Sequence, residues 1–97
     1  MLNGEMICTL LRTNKDEMKR QYGVTKIGLC GSYSRDEQRD DSDIDIVVEL
    51  ESGNAFRSFF GLKLYLEKMF DKPVDLGIEH AIKPAVRENM LKSIRYV

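Results

Sequence analysis

The stretch Ser42-Asp43-Ile44-Asp45-Ile46-Val47-Val48 constrains this chain more than any other. Side chains of a strand alternate between two faces. A strand over residues 43–50 therefore turns Ile44, Ile46 and Val48 one way, and Asp43, Asp45, Val47 and Glu49 the other. Aspartate is a poor strand former, so two of them inside an apolar run need a cause. Side by side on one face, they stand about 6.5–7 Å apart along the strand.

The rest of the chain supplies partners for that strand. Residues 3–21 read as helix in two pieces, with Met6, Ile7, Leu10 and Leu11 at helical spacing. Asn14 is expected to cap the second piece in a capping box with Glu17, and Gly23 to end it. Residues 24–31 form a strand, followed by a Gly31-Ser32 turn and a polar segment over 33–42. Ser52-Gly53-Asn54 breaks the chain. Phe56, Phe59, Leu62, Leu66, Met69 and Phe70 then mark a long amphipathic helix, which Asp71-Lys72-Pro73 ends. Residues 74–78 are a third strand, with Asp75 opposite in sense to Val74, Leu76 and Ile78. Pro84 opens a last helix whose buried side is Val86, Met90 and Ile94, and residues 95–97 form a short edge strand. The expected fold is α/β (α+β): one domain over residues 1–97, a small mixed sheet of three or four strands, and helices packed on one face. The open face carries Asp43, Asp45 and Asp75.

Composition excludes several classes. The net charge is −1 and the pI about 5.8, so no basic excess exists to hold a nucleic acid. No apolar run reaches the length of a membrane span, and no signal peptide is visible. Cys8 and Cys30 lack the spacing of a disulfide framework or zinc site and read as reduced core residues. The compartment implied is the cytoplasm.

Three carboxylates on one patch repel each other, and burial would raise their pKa values. A cation relieves that repulsion, and oxygen ligands on a short rigid frame suit Mg²⁺ or Mn²⁺. Two such ions can clamp the attacking and leaving oxygens of a displacement at phosphorus. An EF-hand is rejected, because Ile46 and Ser52 stand where its loop needs glycine and glutamate. Gly31-Ser32 offers a turn that lets an anion approach the backbone, with free N–H groups and the Ser32 hydroxyl as donors. Arg35 adds positive charge. The turn is not a P-loop, since the Gly-Lys-Ser/Thr element is missing. Its weight comes from position, with ten residues between it and Asp43.

Gly31-Ser32-Tyr33-Ser34-Arg35, followed by residues 42–48, resembles the signature of the DNA polymerase β-like nucleotidyltransferase superfamily. Tyr22-Gly23-Val24 and Lys72-Pro73-Val74-Asp75-Leu76 resemble its small bacterial and archaeal branch, the minimal nucleotidyltransferases (MNT). The resemblance runs over nearly the whole chain. It implies that Asp43, Asp45 and Asp75 are catalytic metal ligands for two Mg²⁺ ions, and that Gly31 and Ser32 bind a triphosphate together with Arg35 and Ser42. The implied chemistry is attack by an acceptor hydroxyl on the α-phosphate of ATP, with Asp75 helping to activate that hydroxyl. Small members are often antitoxins that adenylylate a tyrosine of a HEPN-domain ribonuclease, so a HEPN-type partner is expected. Two positions depart from the family pattern: Ser34 and Asp36 replace its usual alanine and glycine. Asp36 is expected to bring negative charge near the triphosphate and stiffen the turn.

Two other functions compete. A non-catalytic module could neutralise its partner by covering it, and a small-molecule transferase would need an acceptor domain that is not visible here. His80 reads as a surface loop residue. Phe56, Phe59, Phe60 and Phe70 read as core packing, with an exposed apolar strip for a partner as the alternative. Tyr33 either stacks on a base or covers the turn. The basic residues of 83–95 read as a solvated helix face.

Overall fold

The computed structural model describes residues 2–51, 53 and 55–97; the expected break at Ser52 and Asn54 lies outside them. Four strands form one mixed sheet: β1 (Val24–Cys30), β2 (Ile44–Leu50), β3 (Val74–Ile78) and β4 (Arg95–Tyr96), in the order β3-β2-β1-β4. β1 runs antiparallel to β2 and β4, whereas β2 and β3 are parallel. Parallel neighbours need a long crossover, and α4 (Ala55–Phe70) supplies it.

The helices begin and end for local reasons. Asn3 caps α1 (Gly4–Thr13), its side-chain oxygen accepting from the Met6 N–H at 2.8 Å. α2 (Lys15–Tyr22) ends at Gly23, whose φ of 70° is the left-handed cap conformation. The capping box expected at Asn14 does not form. Asn14 instead donates its side-chain amide to the Leu10 carbonyl at 2.8 Å, closing the end of α1. Glu17 accepts from the Tyr65 hydroxyl at 3.1 Å and so ties α2 to α4. The tertiary contact takes the groups that the local motif would have used.

α1, α2 and α4 cover one face of the sheet. Ile7, Leu11, Met18, Leu62 and Leu66 interlock there with Ile27, Leu29, Ile44, Ile46 and Val48, all at or near zero exposure. Leu66→Ala should cost about 2–5 kcal/mol of folding stability, the usual range for a leucine removed from a packed core; urea unfolding measures it.

Two apolar sets lie elsewhere than the periodicity implies. Phe70 is buried and Phe59 packs against the core, but Phe60 is exposed and Phe56 is 78% exposed. These two belong to the outer side of α4 with Leu64, at a spacing of four residues. The last helix, α5 (Pro84–Leu91), begins at Pro84 as expected but buries none of its residues. It stands at the open face of the sheet, and its apolar side meets a cavity rather than the core.

Candidate active site

The register of the parallel pair decides the site. Asp45 of β2 lies directly opposite Asp75 of β3, and Cys30 of β1 lies opposite Asp45 on the other side. Two residues further along, Val47 and Gly77 continue the same face. Asp43 falls just before β2 rather than within it, because the ladder starts at Ile44, whose N–H donates to the Pro73 carbonyl at 3.2 Å. A cavity of about 460 Å³ opens over this face. Its lining brings together Gly31, Arg35, Asp45 and Asp75, and on the far side Val86 and Met90. Ser32, Ser42 and Asp43 are not among the lining residues.

The charges at the site oppose one another. The Asp45 carboxyl is pushed above the ordinary aspartate range by burial, then by the nearby charges of Asp75 and Asp43; Arg35 offsets part of this. The Cys30 thiol is pushed up to about 12 by burial and by the same two carboxylates, Asp45 and Asp75, so it stays protonated at neutral pH. Its Sγ donates to the Asp45 carbonyl at 3.4 Å. Both cysteines are free and buried as expected, although Cys30 lies under the cavity rather than among the helices. Among the described residues, no three His, Cys, Asp or Glu side chains stand as a finished ion cage. The donor set nevertheless fits a hard divalent cation: oxygen ligands on adjacent strands, with a mutual repulsion that such an ion would relieve.

The glycine turn is built against Asp45. Gly31 has a φ of 72°, and a Cβ there would lie 1.9 Å from Asp45 Oδ2. Only glycine combines that backbone angle with that approach. Gly31 opens the four-residue α3 (Gly31–Ser34), whose first N–H groups have no partner within the helix. Ser34 is buried, and its hydroxyl donates back to the Gly31 carbonyl at 2.7 Å. The departure from alanine thus adds a bond within the turn. The Ser32 carbonyl accepts from the Arg35 and Glu37 N–H groups at 3.2 and 2.9 Å, folding the segment after the turn back on it. Asp36 adopts a φ of 56°, which explains why a glycine suits that position. Its carboxylate pairs with Arg95 at 3.2 Å, so that charge is answered by β4. Ser42 accepts from the Arg39 N–H at 2.9 Å and shapes the loop into β2. Tyr33 is buried in the helix-side core.

Periodicity does not reveal Glu79, which is 4% exposed at the end of β3. It pairs with Lys26 at 2.9 Å, accepts a hydrogen bond from the Tyr96 hydroxyl, and has Arg87 at 3.9 Å. The Lys26 ammonium also sits 4.5 Å from the centre of the Tyr96 ring. This cluster ties β1, β4 and α5 to the 3₁₀ turn Glu79–Ala81. Sequence alone hides it, because its members are 53 and 17 residues apart. The Tyr96 hydroxyl, then Lys26 and Arg87, hold the Glu79 carboxyl below the ordinary glutamate range against the effect of burial. Its contribution to stability is therefore present above the unfolded value of about 4.3 and is lost as pH falls through the folded one. Glu79→Gln should flatten the fall in thermal midpoint on acidification below about pH 4.3, which a calorimetric pH series checks. His80, exposed on the next position, lies 2.6 Å from Glu49 and is not among the residues that line the cavity.

A mixed sheet of this order, with paired carboxylates beside a glycine turn, is the core of a nucleotidyltransferase. Residues 11–97 match the nucleotidyltransferase domain family, and the chain belongs to that family. It is 36% identical over 97 residues to the protein adenylyltransferase MntA of Thermococcus cleftensis, covering 100% of this chain and 98% of the relative. A solved structure described as a minimal nucleotidyltransferase superposes with a TM-score of 0.75 at 29% identity, covering 97% of this chain and 95% of the other. A toxin–antitoxin crystal structure with AMP-PNP superposes with a TM-score of 0.68 at 27% identity, over 98% of this chain and 72% of the other. The chain is thus an enzyme of the nucleotidyltransferase class, of the minimal type. Among the described residues, no helix is long and apolar enough to cross a membrane.

Proposed function

We propose that this chain, acting as a single cytoplasmic domain, transfers AMP from ATP to a tyrosine hydroxyl of a HEPN-type toxin partner. The observation that carries the reading is the direct pairing of Asp45 with Asp75 next to a glycine turn. Asp43, Asp45 and Asp75 would hold Mg²⁺, two ions in the full site, or Mn²⁺ in their place. When bound, the metal supplies neutralisation of phosphate charge. Gly31 and the first N–H groups of α3 bind phosphate oxygens, with Ser32, Ser42 and Arg35 adding donors. Arg35 reaches this role from an exposed position, where its Nε is 3.3 Å from Glu37. Asp75, exposed at the cavity, accepts the acceptor hydroxyl's proton as its oxygen bonds to the α-phosphorus and pyrophosphate leaves. A protein acceptor is favoured by the names of the relatives, one a protein adenylyltransferase and one a toxin–antitoxin assembly. It is favoured too by the exposed Phe56, Phe60 and Leu64 on α4, a strip that a partner would cover.

Thermal unfolding tests the site. ATP and Mg²⁺ together should raise the midpoint more than either alone, by the equivalent of about 2.7 kcal/mol at a hundredfold excess over the dissociation constant. No shift with both present would count against the nucleotide reading. Neutralisation of the toxin by an Asp43→Ala, Asp45→Ala variant, undiminished, would favour the non-catalytic binding module.

A further inference from the structure

The cavity has two unlike sides. One is the charged side already described. The other is made by α5 and its flanks: Ile82, Val86, Asn89, Met90 and Ser93. Val86, Asn89 and Met90 share one face of α5, by their spacing of three and four residues. An amphipathic helix ordinarily turns its apolar stripe to the core. Here none of α5 is buried, and Val86 is 52% exposed at the edge of the cavity. The stripe therefore faces a space that a ligand can fill.

The floor of that space is flat. Gly77 continues the Asp75 face of β3, and a Cβ added there would meet nothing nearer than Ile82 Cδ1 at 4.0 Å. The wall is held at both ends. Ahead of α5, the Ile82 N–H donates to the Glu79 carbonyl at 3.2 Å, and Glu79 is fixed by Lys26 and Tyr96. Behind it, β4 pairs with β1, and the Val97 N–H donates to the Ile27 carbonyl at 3.1 Å.

We propose that the α5 wall is the nucleobase subsite of this enzyme, with Val86 and Met90 packing on an adenine ring and Asn89 reading its edge. The inference rests on the reading of the acidic cavity as a nucleotide site. A triphosphate gains nothing from an apolar wall, whereas a base one ribose away from the phosphates gains stacking and dispersion contacts. An asparagine amide carries the donor and acceptor that match the N6 amino group and N7 of adenine. The occupant is the base rather than an acceptor side chain because the wall and the phosphate turn line one continuous cavity, and the nucleotide is the ligand that needs both.

Equilibrium binding of ATP, UTP and inorganic tripolyphosphate, each with Mg²⁺, tests this. The wild type should bind ATP at least about fivefold more tightly than tripolyphosphate, as covering roughly 40 Å² of apolar surface would give, and more tightly than UTP. Val86→Ser and Asn89→Ala should each bring ATP down toward the tripolyphosphate value and leave tripolyphosphate binding unchanged; circular dichroism confirms that both variants fold. Equal binding of ATP and tripolyphosphate by the wild type overturns the base subsite while leaving the phosphate site standing. Unchanged ATP affinity in both variants, with a raised KM for the protein acceptor, overturns it in favour of an acceptor subsite. Failure of both ATP and tripolyphosphate to bind overturns this proposal together with the nucleotide reading beneath it.

Discussion

Asp45→Asn should lower nucleotidyl transfer by about 10³-fold or more while making the cation-free protein more stable. The first effect follows from removing the carboxylate that stands between Asp43 and Asp75; several kcal/mol of charge stabilisation correspond to a factor of this size. The second follows from linkage. The folded-state pKa of Asp45 is raised by burial and by the charges of Asp75 and Asp43. The folded chain therefore holds that proton more tightly than the unfolded chain, and stability falls as pH rises through the window between the two values. Above that window the penalty is present in full, and asparagine removes it. Paired assays of transfer and of thermal midpoint without metal check both halves. An Asn variant less stable than wild type would contradict the charge account, even if inactive. Added Mg²⁺ should raise the midpoint of the wild type more than that of the variant, since only the former has the full repulsion to relieve.

Gly31→Ala should damage both fold and site. A non-glycine residue in the left-handed region costs about 1–2 kcal/mol. The new Cβ would also lie 1.9 Å from Asp45 Oδ2 and 2.8 Å from its Cγ, with Cβ itself at 3.0 Å. Relief requires the Asp45 side chain or the turn to move, and overpacking of this kind costs a further ~1–3 kcal/mol. The expected result is a loss of about 2–5 kcal/mol in urea unfolding and a transfer rate reduced by about 10²-fold, as misplacement by roughly 1 Å implies. Gly53, which a Cβ would leave with nothing within 4 Å, makes a contrast at positive φ without a neighbour to disturb.

Much of this was legible in the residues because alternation is a local property. Ile44, Ile46 and Val48 on one face and Asp45 on the other follow from a period of two, and the structure keeps that order. Gly23 and Pro84 mark their helix ends because their backbone demands are intrinsic. What escaped depends on contacts between distant segments. Asn14 and Glu17 have the residues of a capping box, but α1 and Tyr65 compete for them and win. The apolar side of α5 has a core helix's spacing, yet spacing cannot say whether a stripe meets the core or a cavity. Phe56 and Phe60 fail in the same way. The alternation that placed Asp45 and Asp75 also carried Asp43 into a strand that begins one residue later. Glu79 gave no sign, since a lone glutamate after a strand looks solvated until Lys26 and Tyr96 are brought to it.

Labelling measures nucleotidyl transfer to a protein without an intermediary. The purified chain is incubated with α-³²P-ATP, Mg²⁺ and a co-expressed HEPN-type partner, beside the Asp43→Ala, Asp45→Ala variant. The expected result is a labelled band at the partner's mass that vanishes with the variant. No labelled protein, from a wild-type chain that still binds ATP with Mg²⁺, would contradict protein adenylylation and point to a small-molecule acceptor or a module that works by binding alone.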